Sequence, residues 1–483
     1  MPSSSPEGQD APGAESGSSA GRQKGLEKDM SVHLLDSVLF GDSASTPRMR
    51  AVFEEKARLQ AWMDVETALA RAQAEMGIVP KEAAQRIADC AKVDLLDLQA
   101  IRARGKVTGH SLMGFLGEFR NVVGKEAAGY IHFGATTQDI IDSGQMICVK
   151  NAVAVIEDQL TAVMKTLLPL MDQHSRTLMV GRTHGQHALP ITLGFKMAIW
   201  LDELSRQRDR LQEAKKRDLV GNMTGAVGTF ASWGKKGLEV QSRTMDILGL
   251  GTPDTCWHSS RDRVADLMAL LGLLGGTAAR IATEVYNLSK TEFGELEEPI
   301  GKGQVGSSTM PHKRNPVHSE WIIVLARSLR ANALQAMEVM VQENERDASA
   351  WKSEWIIVPE SFVMASAILQ HLQSVFSGLV VRKARMVKNT DLLKGLLLSE
   401  SVMFVLADAM PLPEAHERVY EASMRAFEKE TNLPDELLKD PEVKKLCDPK
   451  KIAEAMNAAN YTGLSAETVD IVKRKVEAKL GKG

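Results

Sequence analysis

The sequence predicts an all-α protein organised around a bundle of long helices. Helix-compatible periodicity of apolar residues extends through four stretches, 140–174, 191–217, 261–292 and 316–345. Each is much longer than the average globular helix of about 11–12 residues, and helices of such length require sustained packing against neighbouring helices. Neither a fixed-period repeat nor clean heptads accompany them, which disfavours a helical repeat array or a coiled coil.

The chain is too long, at 483 residues, for one compact core. Residues 1–30 are rich in Ser, Gly, Pro, Ala and Glu, and this composition predicts a disordered tail. Helical periodicity then predicts an N-terminal helical domain over 31–139 and the long-helix bundle over 140–388. The shorter helical segments of 389–483 predict a small third domain.

The charge balance and the cysteine spacing argue against several classes of protein. The formal net charge is -3 without a large block of one sign, so neither nucleic acid nor a membrane surface is an expected partner. The four cysteines are far apart, without zinc spacing, which favours free thiols in a reducing compartment. The sequence shows no uninterrupted apolar run of bilayer length and no secretory signal pattern. We therefore expect a cytoplasmic protein.

The segment with the most chemical information is 303–316, GQVGSSTMPHKRNP. Its glycines permit unusual backbone angles, Ser307 and Ser308 supply adjacent hydroxyls, and Lys313 supplies positive charge. Asn315, which precedes a proline, predicts the N-cap of a helix. A flexible loop that leads into the positive end of a long helix is suited to an anionic substrate. An ordinary linker with a helix cap is the weaker interpretation.

A second segment, 132–139, has the sequence HFGATTQD. Thr136 and Thr137 are neutral hydrogen-bond donors just before a long helix, where they could hold a carboxylate. A purely structural interpretation, with Asp139 near the helix cap, accounts for the same residues equally well.

Three histidines are candidates for proton transfer, the role for which imidazole is suited near neutral pH. His184 and His187 lie in the predicted loop 181–190, GRTHGQHALP, and His110 stands alone in an earlier segment. Taken alone, two loop histidines are more often structural than catalytic, and a lone histidine is more often a satisfied, partly buried side chain.

Neither a metal nor a nucleotide cofactor is expected. His184 and His187 lack a third ligand nearby. Residues 301–306 fit the dinucleotide fingerprint GxGxxG, but they follow the acidic segment 295–298, which the pattern predicts to be helical. Because a strand and a surrounding βαβ unit are missing from the prediction, nucleotide binding is rejected.

The segment 306–316 resembles the GSSxMPxKxNP signature of the fumarase/aspartase superfamily. The other motifs follow in the family's order from about residue 40 to the C-terminus. This resemblance implies an all-α fold of three domains, in which the long central helices of four subunits pack into a common bundle. It also implies a homotetramer whose active sites each draw residues from three subunits.

The same resemblance implies a cofactor-free elimination on a small polycarboxylate. A base removes a proton beside a carboxylate, the carbanion is held as an aci-carboxylate, and a leaving group departs from the neighbouring carbon. Most of the catalysis must then come from stabilising the developing dianion. By position in the motifs, Ser308 matches the base and His184 matches the acid that protonates the leaving group. The residues assigned to substrate binding are His110, Thr136, Thr137, Ser307, Lys313 and Asn315.

The resemblance leaves the reaction open within the superfamily. The segments 257–263, 345–355 and 460–463 look like those of 3-carboxy-cis,cis-muconate cycloisomerases, which often have tryptophan where His184 stands. Adenylosuccinate lyases carry arginine at the position of Trp355 to help read a phosphate. We predict β-elimination on a substituted succinate that lacks a nucleotide phosphate, with release of fumarate. The alternatives are a cycloisomerase, an adenylosuccinate lyase or, least favoured, a non-enzymatic descendant.

Overall fold

The computed structural model describes residues 32–301, 303, 306–307 and 309–481. Helices dominate this part of the chain, and the strands form two small antiparallel sheets of two strands each. The predicted all-α class is confirmed. The predicted disordered tail at 1–30 lies outside the described residues.

The N-terminal part is a set of short helices around one long one. The helices are α1 (Gly41–Ala44), α2 (Pro47–Phe53), α3 (Glu55–Glu75), α4 (Lys81–Asp89), α5 (Leu98–Thr108), α6 (Ser111–Val123) and α7 (Lys125–Ala128). Glu54 has φ -63° and ψ 160°, which is extended backbone. The helical backbone between Pro47 and Glu75 is therefore divided into α2 and α3.

The central part contains the long helices and both small sheets. Its elements are α8 (Thr137–Gln173), β1 (Leu178–Thr183), β2 (Gln186–Thr192), α9 (Leu193–Asp218), α10 (Gly237–Leu248), α11 (Asp262–Leu288), β3 (Leu296–Glu297), α12 (Val317–Glu338), α13 (Ala348–Ser377), β4 (Val380–Val381) and α14 (Lys383–Thr390). All four predicted long helices are present. The last of them ends at Glu338 rather than near residue 345, and α13 was not predicted as a separate helix.

The five long helices pack side by side, as the predicted bundle requires. α8 contacts α9 and α13, α9 contacts α11, and α12 packs against both α11 and α13. Gly275 on α11 shows how closely α11 and α12 approach, because a Cβ at this position would lie 3.0 Å from Leu329 of α12. A larger residue there would push the two helices apart.

The C-terminal helices form a second, smaller core. They are α15 (Ser399–Ala407), α16 (Leu412–Glu428), α17 (Leu433–Leu437), α18 (Pro441–Leu446), α19 (Pro449–Ala455) and α20 (Ser465–Leu480). Buried residues from Val402 to Ala455 pack together as one cluster. Val469, Val472 and Val476 of α20 instead belong to the main core, and α20 packs against α9. The division of the chain into three domains stays a prediction.

Two of the long helices, α11 and α13, are long and apolar enough to cross a bilayer by length and composition. Neither is an uninterrupted apolar run, since charged residues such as Arg280 in α11 and Glu360 in α13 interrupt the apolar sequence. Of the most apolar window in each helix, 67% in α11 and 72% in α13 is buried within the protein. This burial is typical of core helices in a water-soluble bundle.

Candidate active site

Asp139 lies fully buried in the first turn of α8 and connects three segments of the chain. Its carboxylate accepts hydrogen bonds from the backbone N–H groups of Thr136 at 3.0 Å, Thr224 at 3.0 Å and Gly225 at 2.9 Å. His258 Nε2 lies 3.1 Å from the same carboxylate. A negative charge is favourable at a helix N-terminus. Asp139 therefore holds the loop around Thr224 beside Thr136, which is more than the cap that its sequence position predicts.

Arg346 brings a guanidinium to the start of α8. Its Nη2 donates to the hydroxyl of Thr136 at 3.0 Å and to the carbonyl of Ala226 at 2.9 Å. Its Nε is buried, without a hydrogen-bond partner among the described residues. A guanidinium with spare donors beside a threonine hydroxyl is suited to a carboxylate ligand. The sequence places Arg346, with Lys352, only as an alternative ligand for a substrate phosphate.

His110 lies close to two cations, Arg346 and Lys352. Burial, followed by the charges of Lys352 and Arg346, lowers the pKa of His110 below its ordinary value. Its Nδ1 is buried without a partner in the described part of the chain. We call His110, Thr136, Arg346 and Lys352 the N-terminal anion group, because a bound anion would offset the mutual repulsion of its cations and occupy the unused donors.

His184 occupies the tip of a β-hairpin rather than a loop that leads into a helix. In the pairing of β1 with β2, Thr183 lies opposite Gln186, so only two residues form the turn. His184 has φ 51° and Gly185 has φ 76°. Positive φ at both central residues defines the type I′ turn that two-residue hairpins favour. The turn projects the His184 side chain into solvent, where it is exposed.

The base of this hairpin is held by a buried ion pair. Arg182 donates two hydrogen bonds to Glu295, at 3.1 and 2.6 Å, and its guanidinium lies 4.8 Å from the centre of the Phe293 ring. His187 pairs with Arg182 across the hairpin. Burial and the charge of Arg182 lower the pKa of His187, which favours a neutral imidazole. His187 is thus part of the hairpin's support, whereas His184 is free to reach a ligand.

The acidic segment 295–298 contains the two-residue strand β3 and not the predicted helix. β3 pairs antiparallel with β4, so a strand does precede the GxGxxG sequence at 301–306. A parallel βαβ unit is nevertheless missing from the two sheets of the described residues. The expectation of no cofactor stays a prediction.

Glu297 and Glu298 connect this strand to the signature segment. Glu297 forms ion pairs with Arg314 at 3.3 Å and with Arg382. Glu298 accepts hydrogen bonds from the backbone N–H groups of His318 at 2.9 Å and Ser319 at 2.8 Å, and so caps α12. The predicted N-cap at Asn315 is wrong, because α12 begins at Val317 and a carboxylate distant in sequence already occupies its first N–H groups.

Asn315 instead holds the signature segment in shape. Its Nδ2 donates to the carbonyl of Gly306 at 2.9 Å. A Cβ at Gly306 would lie 2.4 Å from the carbonyl oxygen of Lys313, so only glycine fits there. Ser307 Oγ accepts a hydrogen bond from the N–H of Met310 at 3.1 Å, and the Lys313 side chain is exposed. Ser308, which matches the family's base, lies outside the described residues.

The predicted site residues thus fall into three groups within one chain. Thr136, Thr137 and His110 lie at the N-terminal anion group, His184 lies on the hairpin, and Ser307, Lys313 and Asn315 lie in the signature segment. The acidic segment 295–298 connects the second group to the third through Glu295 and Glu297. None of the hydrogen bonds described above joins the N-terminal anion group to either of the others.

Several motif residues that look like reaction-specific signals are structural. Arg261 is buried and donates to Asp142 at 2.8 and 3.1 Å and to Glu354 at 2.7 Å. Trp351 Nε1 donates to Asp142 at 2.8 Å, and the Arg261 guanidinium lies 4.6 Å from the centre of the Trp257 ring. These residues join α8, α11 and α13 and are all buried.

The buried contact between His258 and Asp139 makes stability depend on pH. Burial alone would lower the pKa of His258, but Asp139 and the neighbouring Cys256 outweigh burial and raise it from 6.5 to about 9. The folded protein therefore holds this proton more tightly than the unfolded chain does. The resulting stabilisation is fully present below pH 6.5 and is lost as the pH rises through about 9.

We expect His258→Gln to abolish this part of the pH dependence. Each unit of pKa shift corresponds to about 1.4 kcal/mol, so the free energy of unfolding of the wild type should fall by a few kcal/mol more than that of the variant between pH 6 and pH 9.5. Urea unfolding at both pH values measures this difference. His416→Gln, at an exposed position on α16, should behave as the wild type. Parallel pH profiles of His258→Gln and the wild type would contradict the prediction.

Comparisons with known proteins show the family of the chain. A family profile described as "Lyase" matches residues 42–330, and one described as "Adenylosuccinate lyase C-terminus" matches residues 395–472. An N-acetyl-S-(2-succino)cysteine lyase from Enterococcus italicus is 41% identical over 443 residues, which are 92% of this chain and 97% of that protein. An adenylosuccinate lyase from Methanocaldococcus jannaschii is 39% identical over 454 residues, which are 93% of this chain and 97% of that protein.

The fold of this chain is also similar to solved structures of lyases and cycloisomerases. The 3-carboxy-cis,cis-muconate lactonizing enzyme from Pseudomonas putida superposes with a TM-score of 0.86 at 34% identity, and covers 91% of this chain and 99% of its own. Fold, motifs and relatives together define an enzyme of the lyase class. The chain belongs to the fumarase/aspartase superfamily, as its signature segment predicts, and the β-elimination chemistry of that superfamily applies to it.

Proposed function

We propose that this enzyme is a carbon–sulfur lyase that acts on S-(2-succinyl) derivatives of small thiols and releases fumarate. The observation that carries the proposal is the aromatic lining of a cavity of about 120 Å³ that is bordered by Ser111, the neighbour of His110. A second cavity, of about 560 Å³, is lined by His110 itself and falls within the range of about 300–1,000 Å³ for drug-sized ligands, so volume does not distinguish a thiol from a nucleotide. The choice of a compact leaving group rests on the chemistry of the walls of the smaller cavity.

The residues that line the smaller cavity show where it lies relative to the predicted substrate-binding residues. Ser111, which follows His110, borders it, and Ile141 borders it one helical turn after Thr137 on α8. A succinyl group held at Thr136 and Arg346 would thus direct its substituent into this space. The N-terminal anion group supplies the charge for the carboxylates, and the cavity receives the thiol part.

The walls of the cavity suit a thioether with an amide or carboxylate. Phe53, Trp62 and Trp355 provide aromatic surface, against which sulfur packs favourably. Trp355 Nε1 is a buried donor without a partner in the described structure, and the Arg58 guanidinium lies 4.0 Å from the carboxylate of Glu55 in the same wall. One indole N–H can bind a carbonyl, and a guanidinium that is paired with one carboxylate keeps donors for a second. They are a poor set for a phosphate with near two negative charges, which usually requires several forked donors.

The roles of the site residues complete the proposal. Lys313, Asn315, Ser307, Thr136 and Thr137 bind the substrate carboxylates and stabilise the aci-carboxylate. Ser308 accepts the proton from the carbon beside one carboxylate. The carbon–sulfur bond then breaks with its electron pair moving to sulfur, which His184 protonates, and the carbon–carbon double bond of fumarate forms. His184 is suited to this role because the hairpin turn leaves its side chain free.

Two other reactions are supported by particular relatives. The 39% sequence identity with the Methanocaldococcus jannaschii enzyme favours an adenylosuccinate lyase. In that case Lys352 and Arg346 would have to hold the phosphate. Cycloisomerisation of a carboxymuconate is favoured by the superposition with the Pseudomonas putida enzyme. Only the cycloisomerase releases no fumarate.

A substrate panel tests the proposal. With N-acetyl-S-(2-succinyl)cysteine, adenylosuccinate and 3-carboxy-cis,cis-muconate as substrates, we expect kcat/KM at or above about 10⁴ M⁻¹s⁻¹ for the thioether alone, followed as fumarate and free thiol. Trp355→Arg should lower kcat/KM for the thioether without a comparable loss for adenylosuccinate. Efficient cleavage of adenylosuccinate by the wild type would refute the thioether proposal.

We also propose that the active enzyme is a homotetramer with sites shared between subunits. Leu273 on α11 and Val324 and Leu334 on α12 are exposed large apolar side chains on the central bundle, and such surfaces are usually covered by association. A shared site would also bring together the three separate groups of site residues.

Tetramers that contain two different inactive variants test whether the active sites are shared between subunits. His184→Gln and Ser308→Ala should each be inactive, and co-expression of the two should restore activity, because some sites would then receive intact residues from different subunits. Light scattering of the wild type should give the mass of four chains. A monomer that is active would contradict the shared site, as would co-expressed variants that assemble without regaining activity.

A further inference from the structure

Cys256 differs in its surroundings from the other three cysteines. Cys90, Cys148 and Cys447 are buried, whereas Cys256 is partly exposed. Burial raises the pKa of Cys148 to about 11, which keeps that thiol protonated and unreactive. Cys256 instead lies beside the hydroxyl of Thr224, which donates to its sulfur at 3.3 Å.

A buried imidazole also faces the Cys256 sulfur. Burial raises the pKa of the Cys256 thiol, but His258 and Thr224 outweigh burial and lower it below its ordinary value. His258 is only 1% exposed and its Nε2 contacts Asp139. Its other ring nitrogen, Nδ1, has no hydrogen-bond partner of ordinary geometry in the described part of the chain. A negative charge on the sulfur would offset the charge of a protonated His258 and satisfy this donor.

The Cys256 sulfur also lies under the loop that supports the N-terminal anion group. A Cβ at Gly228 would lie 2.6 Å from the sulfur, so this loop packs directly on the cysteine. Thr224 is bound to Asp139, and the carbonyl of Ala226 accepts from Arg346. An added group on the sulfur would have to displace the loop and, with it, the acceptor that positions Arg346.

We propose that Cys256, with His258 and Asp139, forms a nucleophilic site that is alkylated by α,β-unsaturated carboxylates such as fumarate, and that this modification inactivates the enzyme. The Cys256 thiolate adds to one carbon of the double bond, a carbon–sulfur bond forms, and the neighbouring carbon takes a proton from His258. Arg346 and Lys352 attract the carboxylates. Only the choice of fumarate rests on the proposed function.

Alkylation of the intact enzyme tests the nucleophile. At pH 7, iodoacetamide should modify Cys256 at least tenfold faster than Cys90, Cys148 and Cys447, as measured by peptide mass spectrometry. His258→Gln and Thr224→Val should both slow the reaction of Cys256, and the milder second substitution guards against a folding defect in the first. Equal reactivity of the four cysteines, or unchanged reactivity in both variants, would overturn the proposal.

Prolonged incubation with fumarate tests the ligand class. The wild type should gain one fumarate per chain at Cys256 and lose activity irreversibly, whereas Cys256→Ser should retain both its mass and its activity. Succinate, which has no double bond, should leave the wild type unmodified. A wild type that reacts with iodoacetamide but gains no fumarate would overturn the proposal. The mass gain needs no turnover, so it remains measurable even if the thioether is not the substrate.

Discussion

Replacement of Arg261 by glutamine is expected to destabilise the folded protein by about 3–5 kcal/mol. Arg261 is 1% exposed and is the cation between the buried carboxylates of Asp142 and Glu354. Glutamine keeps some hydrogen bonds but leaves two buried negative charges without compensation. The free energy of unfolding, from urea titration at pH 7, measures this loss.

A surface ion pair supplies the matched control. Arg243 binds Glu75 in a similar two-bond geometry, but the two side chains are 44% and 50% exposed. Arg243→Gln should therefore cost no more than about 1 kcal/mol. Equal losses in the free energy of unfolding for Arg261→Gln and Arg243→Gln would show that the buried ion pairs of Arg261 contribute no more to stability than a surface ion pair.

Ser308→Ala is expected to lower kcat by about 10²–10⁴-fold, the typical contribution of a general base. Folding and assembly should be unchanged, because the substitution removes one hydroxyl from the signature segment. Steady-state kinetics with the substrate identified by the panel gives the loss in kcat, and circular dichroism and light scattering check the fold and the assembly.

The neighbouring serine distinguishes a base from a binding residue. Ser307 accepts the N–H of Met310 within the segment, so Ser307→Ala should act mainly through KM and reduce kcat less than Ser308→Ala. Turnover of Ser308→Ala within about tenfold of the wild type would exclude Ser308 as the base.

Much of the architecture was predictable because the information is local. The helices α8, α9 and α11 each carry continuous periodicity, and this pattern depends only on neighbouring residues. The signature segment was predictable for a similar reason, since its glycines, hydroxyls and lysine are contiguous. The N-cap prediction at Asn315 failed because a distant residue intervenes, since the first N–H groups of α12 bind Glu298.

The candidate site was predictable only in part. His184 could be named from its motif, but its exposure depends on the register of β1 with β2, which places only two residues in the turn. The contact of Arg346 with Thr136 was not predictable, because it joins positions 210 residues apart. Trp351 looked like a reaction-specific residue and proved to be a donor to the buried Asp142.

The sequence by itself determined the helical class, the superfamily and the residue types of the candidate site, because short contiguous segments of the chain specify each of them. The tertiary structure alone decided which of those side chains are buried in hydrogen-bond and ion-pair networks and which are exposed. Asp139 illustrates the difference, since its cap position is visible in the sequence but its partners Thr224 and His258 are not. Partners of a buried charge are selected by packing between distant segments, and no local pattern specifies them.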